Sequence, residues 1–277
     1  PRALVVVLIS VASSVLFEYL VRLILRRPVT VGDLSAVVTG LLLGLNLPSA
    51  VSYWIPVVGA FFAIVVVKQL FGGIGKNFLN PALASRAFLM ASWPVIMTTW
   101  AVPKALQGSV DATTMATPLS YLKAGEALPD TLSTVNMLLG NVPGCIGEIS
   151  AIALLIGGAY LLIRKVISWR IPAAFIGTVA VVTFIFPMHG ASNFDWMLTN
   201  LLSGGLLLGA FFMATDYSSS PVTLNGQLLY GFGCGALTVL IRYFGGFPEG
   251  VSYAILIMNL RTSIVVSSSG QFSTIFS

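Results

Sequence analysis

The run from Ala3 to Leu25 carries only two charges, Glu18 and Arg22. It is long enough to cross the hydrocarbon core of a bilayer, which takes about 20 predominantly apolar residues in a helix. Similar runs recur from Leu34 to Leu47, Trp54 to Val67, Leu79 to Trp100, Ile146 to Ile163, Ile171 to Pro187, Trp196 to Met213, Leu224 to Ile241 and Val251 to Val266. Lipid offers the backbone no partners, so unbroken apolar runs must close their hydrogen bonds as helices. Charged residues make up 8% of the chain, against about 25% in a soluble domain, and a soluble fold is excluded. The expectation is an all-α integral membrane protein, a single polytopic domain over residues 1–277 with about nine transmembrane helices. The chain opens on Pro1 and enters a spanning run too long for a signal-peptide core, so a preceding segment is expected, giving ten helices in the full chain.

The formal charge of +5 does not point to nucleic acid, because Lys and Arg gather at the ends of the apolar runs. One side collects Arg22, Arg26, Arg27, Lys68, Lys76, Arg164, Lys165 and Arg170. The other holds Arg2, Lys104, Lys123 and Arg242 with Asp111, Glu126, Asp130, Glu148, Asp195 and Glu249. By the positive-inside rule the first side is cytoplasmic. The long loop 101–145, rich in Thr, Ser and Pro, is then extracytoplasmic.

Two blocks recur in order. Gly40-Leu-Leu-Leu-Gly44 returns as Gly205-Leu-Leu-Leu-Gly209, and Phe71-Gly72-Gly73 returns as Phe244-Gly245-Gly246. An odd number of spans separates the copies, so the second runs upside down relative to the first, as in the inverted repeats of transporters. Repeat one covers about residues 1–163 and repeat two about 171–266.

Turn-formers interrupt the apolar runs at Asn46-Leu-Pro48, Asn80-Pro81 and Asp216-Tyr-Ser-Ser-Ser-Pro221. Interrupted helices in matching positions point to a binding site between repeats, which makes Asn80 and Asp216 candidates, although Pro81 also suits a helix N1 position. Glu18, Arg86 and Arg261 are intramembrane charges and functional hypotheses by that fact. Arg86 could hold an anionic group through its guanidinium; Glu18, one turn before Arg22, reads as half of a local helix pair. Cys145 and Cys234 lie far apart, and His189 is the only histidine, so no metal site is expected. Walker A, GxGxxG and GxSxG signatures are absent, which leaves nucleotide hydrolysis, Rossmann-type cofactor binding and serine hydrolysis without support. In the outer loop, Thr114-Met-Ala-Thr117-Pro118 forms a hydroxyl-rich turn in which proline forces Thr117 out of helical geometry and displays its side chain.

Four blocks carry a resemblance: Asp33-Leu-Ser-Ala-Val-Val-Thr-Gly-Leu-Leu-Leu-Gly44, Phe71-Gly-Gly-Ile-Gly-Lys-Asn-Phe-Leu-Asn-Pro-Ala82, Ile146-Gly-Glu-Ile-Ser150, and Phe212-Met-Ala-Thr-Asp-Tyr217 with Ser220-Pro-Val-Thr223. In this order, from about Leu25 to Leu260, the chain resembles the RnfD/NqrB family, and its compact size is similar to the RnfD branch. The resemblance implies a urea-transporter-like fold and a multi-pass component of the cell inner membrane. It implies a place in an Rnf-type redox-driven translocase, passing electrons between ferredoxin and NAD with coupled Na+ or H+ movement. The A, B, C, E and G components of the Rnf complex would be its partners, with membrane lipids and, during maturation, a flavin transferase; the chain would not be catalytic alone.

The family carries FMN on a threonine through a phosphoester at a Ser/Thr-Gly-Ala-Thr motif. The matching residues are Thr114 to Thr117, with Met115 in place of glycine, and Thr117 becomes the attachment residue. Thr114, Arg86, Asn80 and Asp216 are candidate cofactor contacts, and riboflavin is a candidate second cofactor. Alternative functions are a small-solute channel of the same fold, an NqrB-type component of a sodium-translocating NADH:quinone reductase, and a scaffold beside ion-conducting neighbours.

Overall fold

The computed structural model describes residues 2–73, 75–103, 114–188, 192–246 and 249–268, with side chains as far as Arg261. His189 and the loop residues 104–113, Thr113 among them, lie outside this set. The regular elements among the described residues are all helices, and pairing of extended backbone is confined to isolated antiparallel bridges between Pro48 and Cys145 and between Ala101 and Thr114.

Helix α1, Arg2–Ile24, shows how the sequence makes a helix in this setting. Its buried residues are Val6, Ser10, Ser14, Glu18 and Arg22, one every four positions, while Leu4, Leu8, Leu16 and Leu23 are exposed. Four-residue spacing draws one stripe along a helix, and here that stripe is small and polar. Small residues let membrane helices approach closely. In α2, Ser35–Leu45, a Cβ on Gly40 would stand 2.8 Å from the Val11 Cα, and the Ser10 hydroxyl donates to the Gly40 carbonyl at 2.7 Å.

The chain continues through α3, Trp54–Phe61, prolonged by a π-helical stretch Phe62–Gln69, to α4, Pro81–Ser92, and the single turn α5, Pro94–Met97. Beyond residue 113 come two short helices, α6, Pro118–Ala124, and α7, Thr134–Leu139. Then follow α8, Ala151–Ile163, and α9, Arg170–Ile185. Helix α10, Asn193–Leu202, meets α11, Leu206–Leu208, which runs on as a π-helix through Met213. The last two are α12, Leu224–Phe244, and α13, Val251–Ser268. Helix α12 packs on α9 through glycines: a Cβ on Gly231 would stand 2.7 Å from the Ile171 carbonyl oxygen, and one on Gly235 2.9 Å from that of Phe175.

About nine apolar runs were expected to become spans. Among the described residues, α1 and α12 are long and apolar enough to cross a membrane alone, and α10 with the α11 segment makes a third if a 57° bend is counted as one crossing. The other apolar helices are shorter. Local breakers explain the difference. The run from Leu79 to Trp100 stops at Trp93-Pro94, the run from Trp196 to Met213 breaks at Gly204-Gly205, both with positive φ, and the run from Ile146 begins its helix only at Ala151, capped by Ser150.

Glu18 corrects a second expectation. Its partner is not Arg22 but Lys68, in the π-helical prolongation of α3, at 2.8 Å, with Gln69 at 2.9 Å and Thr30 at 3.1 Å. Both charges of the pair are buried; a carboxylate without water needs a cation equally shut away, and Lys68 supplies it.

Contacts fix the running directions. The N-terminal end of α3 meets the C-terminal end of α4 through Trp54 and Trp93, edge to face at 5.1 Å. Arg86, midway along α4, donates to Ser252 at the start of α13, and Asn259 further along α13 reaches Asn80 at the start of α4; Tyr230 of α12 meets that same Asn259, while Arg242, later in α12, meets Glu249 just before α13. Helix α12 therefore runs opposite to α3, and α13 opposite to α4.

Candidate functional site

Asn80 starts α4 as a cap. Its side-chain oxygen accepts from the N–H groups of Ala82 at 3.0 Å and Leu83 at 3.2 Å, ahead of Pro81 in the first helical position. This is the pre-helix turn expected for Asn-Pro. Its amide nitrogen donates to the Met213 carbonyl at 3.3 Å, tying α4 to the end of α11. Asn259 of α13 joins the same knot, its oxygen toward the Asn80 N–H and its nitrogen toward the Ser219 carbonyl, each at 3.2 Å.

Six residues along, about 9 Å at the helical rise, Arg86 is 4% exposed. It donates to Asn46 Oδ1 at 3.0 Å, Ser252 Oγ at 3.1 Å and Cys145 Sγ at 3.2 Å, and it forms an ion pair with Glu249. One guanidinium thus gathers the end of α2, the loop before α8 and the start of α13. Glu148 stands beside it, accepting from the Cys145 N–H at 2.8 Å. Ligand-capable atoms of Cys145, Glu148 and Glu249 lie within 4.8 Å of one another.

Arg242, near the end of α12, is satisfied differently. It donates to the carbonyls of Asn200 at 2.6 Å, Ser203 at 3.1 Å and Glu249 at 3.0 Å. The break between α10 and α11 leaves carbonyls without helical partners, and this cation takes them.

A cavity of about 600 Å³ opens over this framework. Arg86, Met90 and Pro94 form one wall, Trp100, Thr114, Met115 and Ala116 a second, and Glu249, Ser252 and Tyr253 a third, with Ser120 at the edge. The bridge between Ala101 and Thr114, with a 3.1 Å bond from the Met115 N–H to the Trp100 carbonyl, holds the second wall. Volumes of about 300–1,000 Å³ with apolar walls and a few convergent polar groups are typical of small-molecule sites.

Thr117 is extended, at φ −73° and ψ 157°, as Pro118 requires. Its side chain, expected to be displayed, is 5% exposed. The hydroxyl caps α6, accepting from the Ser120 N–H at 3.3 Å, and lies 2.8 Å from the Ser120 hydroxyl. Of the candidates, Arg86 and Thr114 share the cavity and Thr117 adjoins it through Ser120. Asn80 and Asp216 do not line it; Asp216 closes its own turn, accepting from the Ser219 hydroxyl at 3.0 Å. Arg261 is exposed at the far end of α13.

The sequence did not point to Glu148, Glu249, Ser252 or Tyr253. The two glutamates counted only as outer-side charges, and the trace available was Glu148 inside the Ile146-Gly-Glu-Ile-Ser150 block. Lys123, on α6, donates to the Gly245 carbonyl, and burial pushes its ammonium below the ordinary lysine value. On the opposite face, burial tends to raise Asp33, but the Ser35 hydroxyl and N–H, with Lys68 and Arg22 nearby, hold its carboxyl below the usual range.

A helical membrane chain with an apolar-walled cavity and a few convergent polar groups among short and broken helices belongs to the class of membrane proteins with room for a small molecule, and comparison narrows it. Residues 1–268 match the NQR2, RnfD, RnfE family, and the chain belongs to that family. It is 52% identical over 266 residues to the D component of the Na+-translocating ferredoxin:NAD+ oxidoreductase complex of Acetobacterium woodii, covering 95% of this chain and 80% of that one. It is 43% identical over 272 residues to the D component of the proton-translocating ferredoxin:NAD+ oxidoreductase complex of Clostridium ljungdahlii, covering 95% and 81%. The D component of the ion-translocating oxidoreductase complex of Vibrio atlanticus is 36% identical, with 95% and 84% covered.

Proposed function

We propose that this protein is the D component of an ion-translocating ferredoxin:NAD+ oxidoreductase complex, coupling electron transfer to Na+ or H+ movement across the membrane. The observation that carries the reading is similarity along nearly the whole chain to the D components of such complexes. Its partners are the other components of the complex, A, B, C, E and G, together with membrane lipids.

Thr117 is the residue assigned to covalent FMN, through a phosphoester that would form when a flavin transferase cleaves the pyrophosphate of FAD, moving FMN to the threonine oxygen and releasing AMP and the hydroxyl proton. The cavity fits that group. Trp100, Met115, Met90 and Tyr253 offer aromatic and apolar surface for a flat ring, and Thr114, Ser120 and Arg86 offer polar contacts. When bound, the flavin supplies one- and two-electron chemistry, while the protein supplies position and electrostatics. Arg86 places fixed positive charge at the cavity wall, and the Thr117 turn keeps the tether within reach. Riboflavin is assigned no residues here.

The reading places loop 101–145 and the cavity on the extracytoplasmic side, supported by the gathering of Arg22, Lys68, Arg164 and Arg170 at the other ends of their helices. It treats residues 1–163 and 171–266 as inverted repeats of a urea-transporter-like fold, supported by the opposed directions of α3 and α12 and of α4 and α13. The test is coexpression with a flavin transferase, followed by in-gel fluorescence under denaturing conditions. A fluorescent band from the wild type is expected. A colourless chain in cells that flavinylate another substrate would overturn the cofactor assignment.

A further inference from the structure

Beside the cavity, the carboxyl group of Glu148 is hydrogen-bonded by neither of the two nearby arginines. Arg86 contacts Glu249, Asn46, Ser252 and Cys145 but makes no bond to Glu148. Arg242 spends its donors on carbonyls and the Asn200 side chain, and makes no bond to either glutamate side chain. Glu148 is 7% exposed; one oxygen accepts the Cys145 N–H, and the other has no partner among the described residues. Its carboxyl is closed in by glycines: a Cβ at Gly205 would stand 2.9 Å from the unpartnered oxygen. The charged and titratable groups facing it are Cys145 on its own loop, Arg86 from α4, Arg242 from α12, and Glu249 just before α13.

A buried and a half-buried carboxylate within a few ångströms repel each other, and an ionised oxygen with an unpartnered lone pair bears a large desolvation cost. A metal ion would relieve this only by displacing Arg86, which already covers Glu249 and the thiol. We propose that Glu148 and Glu249 together hold one exchangeable proton, which makes the cavity wall at Glu249 part of a proton-binding site. Protonated, the group of Arg86, Arg242, Glu148 and Glu249 carries one positive charge; deprotonated, it is neutral. A further consequence, resting on the flavin reading, is that negative charge arriving on a bound ring raises the affinity of this pair for its proton.

The test is infrared difference spectroscopy on the full chain purified in detergent, titrated with pH in H2O and D2O. A carboxylic acid C=O band that shifts in D2O is expected at neutral pH, disappearing reversibly at alkaline pH. Glu148→Gln should abolish it. Glu249→Gln should abolish it too, since Glu148 then faces Arg86 and Arg242 with no second carboxylate and ionises, and this double dependence separates a shared proton from a single isolated acid. Asp216 and other acids cancel in the wild-type-minus-variant difference. Persistence of the band in Glu249→Gln, absence of any such band in the wild type at neutral pH, or its removal by added Na+ at constant pH would each overturn the proposal. The Thr117→Ala chain should give the same spectra, so failure of the flavin assignment is read separately.

Discussion

The Thr117 hydroxyl lies 2.8 Å from that of Ser120, and Ser120 borders the cavity. That contact brings the proposed tether to the edge of the space its cofactor would fill, yet in the unmodified chain the same oxygen caps α6. Thr117→Ala should therefore abolish in-gel flavin fluorescence and also cost about 1 kcal/mol through loss of the cap, more than the roughly 0.5 kcal/mol of an ordinary surface change. Thr117→Ser keeps both the nucleophile and the cap, and should retain part of the flavin. Peptide mass spectrometry that located FMN on Thr114 would refute the assignment.

The ion pair of Lys68 and Glu18 should behave as a unit. Lys68→Met leaves a buried carboxylate held only by Gln69 and Thr30, and a loss of about 3–5 kcal/mol is expected. Glu18→Gln strands the Lys68 ammonium on the Ser35 hydroxyl with a similar loss. Combining Glu18→Leu with Lys68→Met should recover most of the stability, because an apolar pair removes both desolvation costs. Thermal unfolding in detergent measures all three, and losses that simply add in the double variant would show that the two residues act independently.

Glycines on α12 should not be equivalent. An added methyl at Gly231 meets the Ile171 backbone at 2.7 Å, whereas at Gly233 the obstacle is the end of the Met258 side chain. Backbone cannot step aside and a thioether can. Gly231→Ala is expected to cost about 1–3 kcal/mol and Gly233→Ala clearly less. The unfolding midpoints provide the ranking, and a reversed order would contradict close packing of α12 on α9.

Membrane orientation is testable at Glu126. The neighbouring Gly125 is a poor labelling site, because it ends α6 with φ +75°, a backbone region that disfavours cysteine. Glu126 is exposed, and Glu126→Cys should react with a membrane-impermeant maleimide in intact cells. Labelling that required lysis would place the loop in the cytoplasm and reverse the topology.

The sequence showed the α1 span, the turn at Asn80-Pro81 and the extended backbone at Thr117, because each follows from an unbroken apolar run or from an adjacent proline. It did not show that Glu18 pairs with Lys68, which lies 50 residues on; nothing local distinguishes that partner from the nearer Arg22. The half-length helices had visible markers in Trp93-Pro94 and Gly204-Gly205, but apolar runs outweighed them. Burial of the Thr117 hydroxyl and the meeting of Glu148 with Glu249 depend on how distant segments converge, which hydropathy does not encode.

The 57° bend between α10 and α11 also bears on how the protein is made. The carbonyl of Ser203 waits for Arg242, which leaves the ribosome 39 residues later. Until then the hinge has no protein cation to meet, and lipid offers none. A nascent chain stopped before residue 242 is expected to keep the hinge in contact with water, reactive at Ser203→Cys, and to lose that reactivity once α12 is synthesised. Insertion of this half of the molecule thus has a built-in order, in which a later helix completes an earlier one.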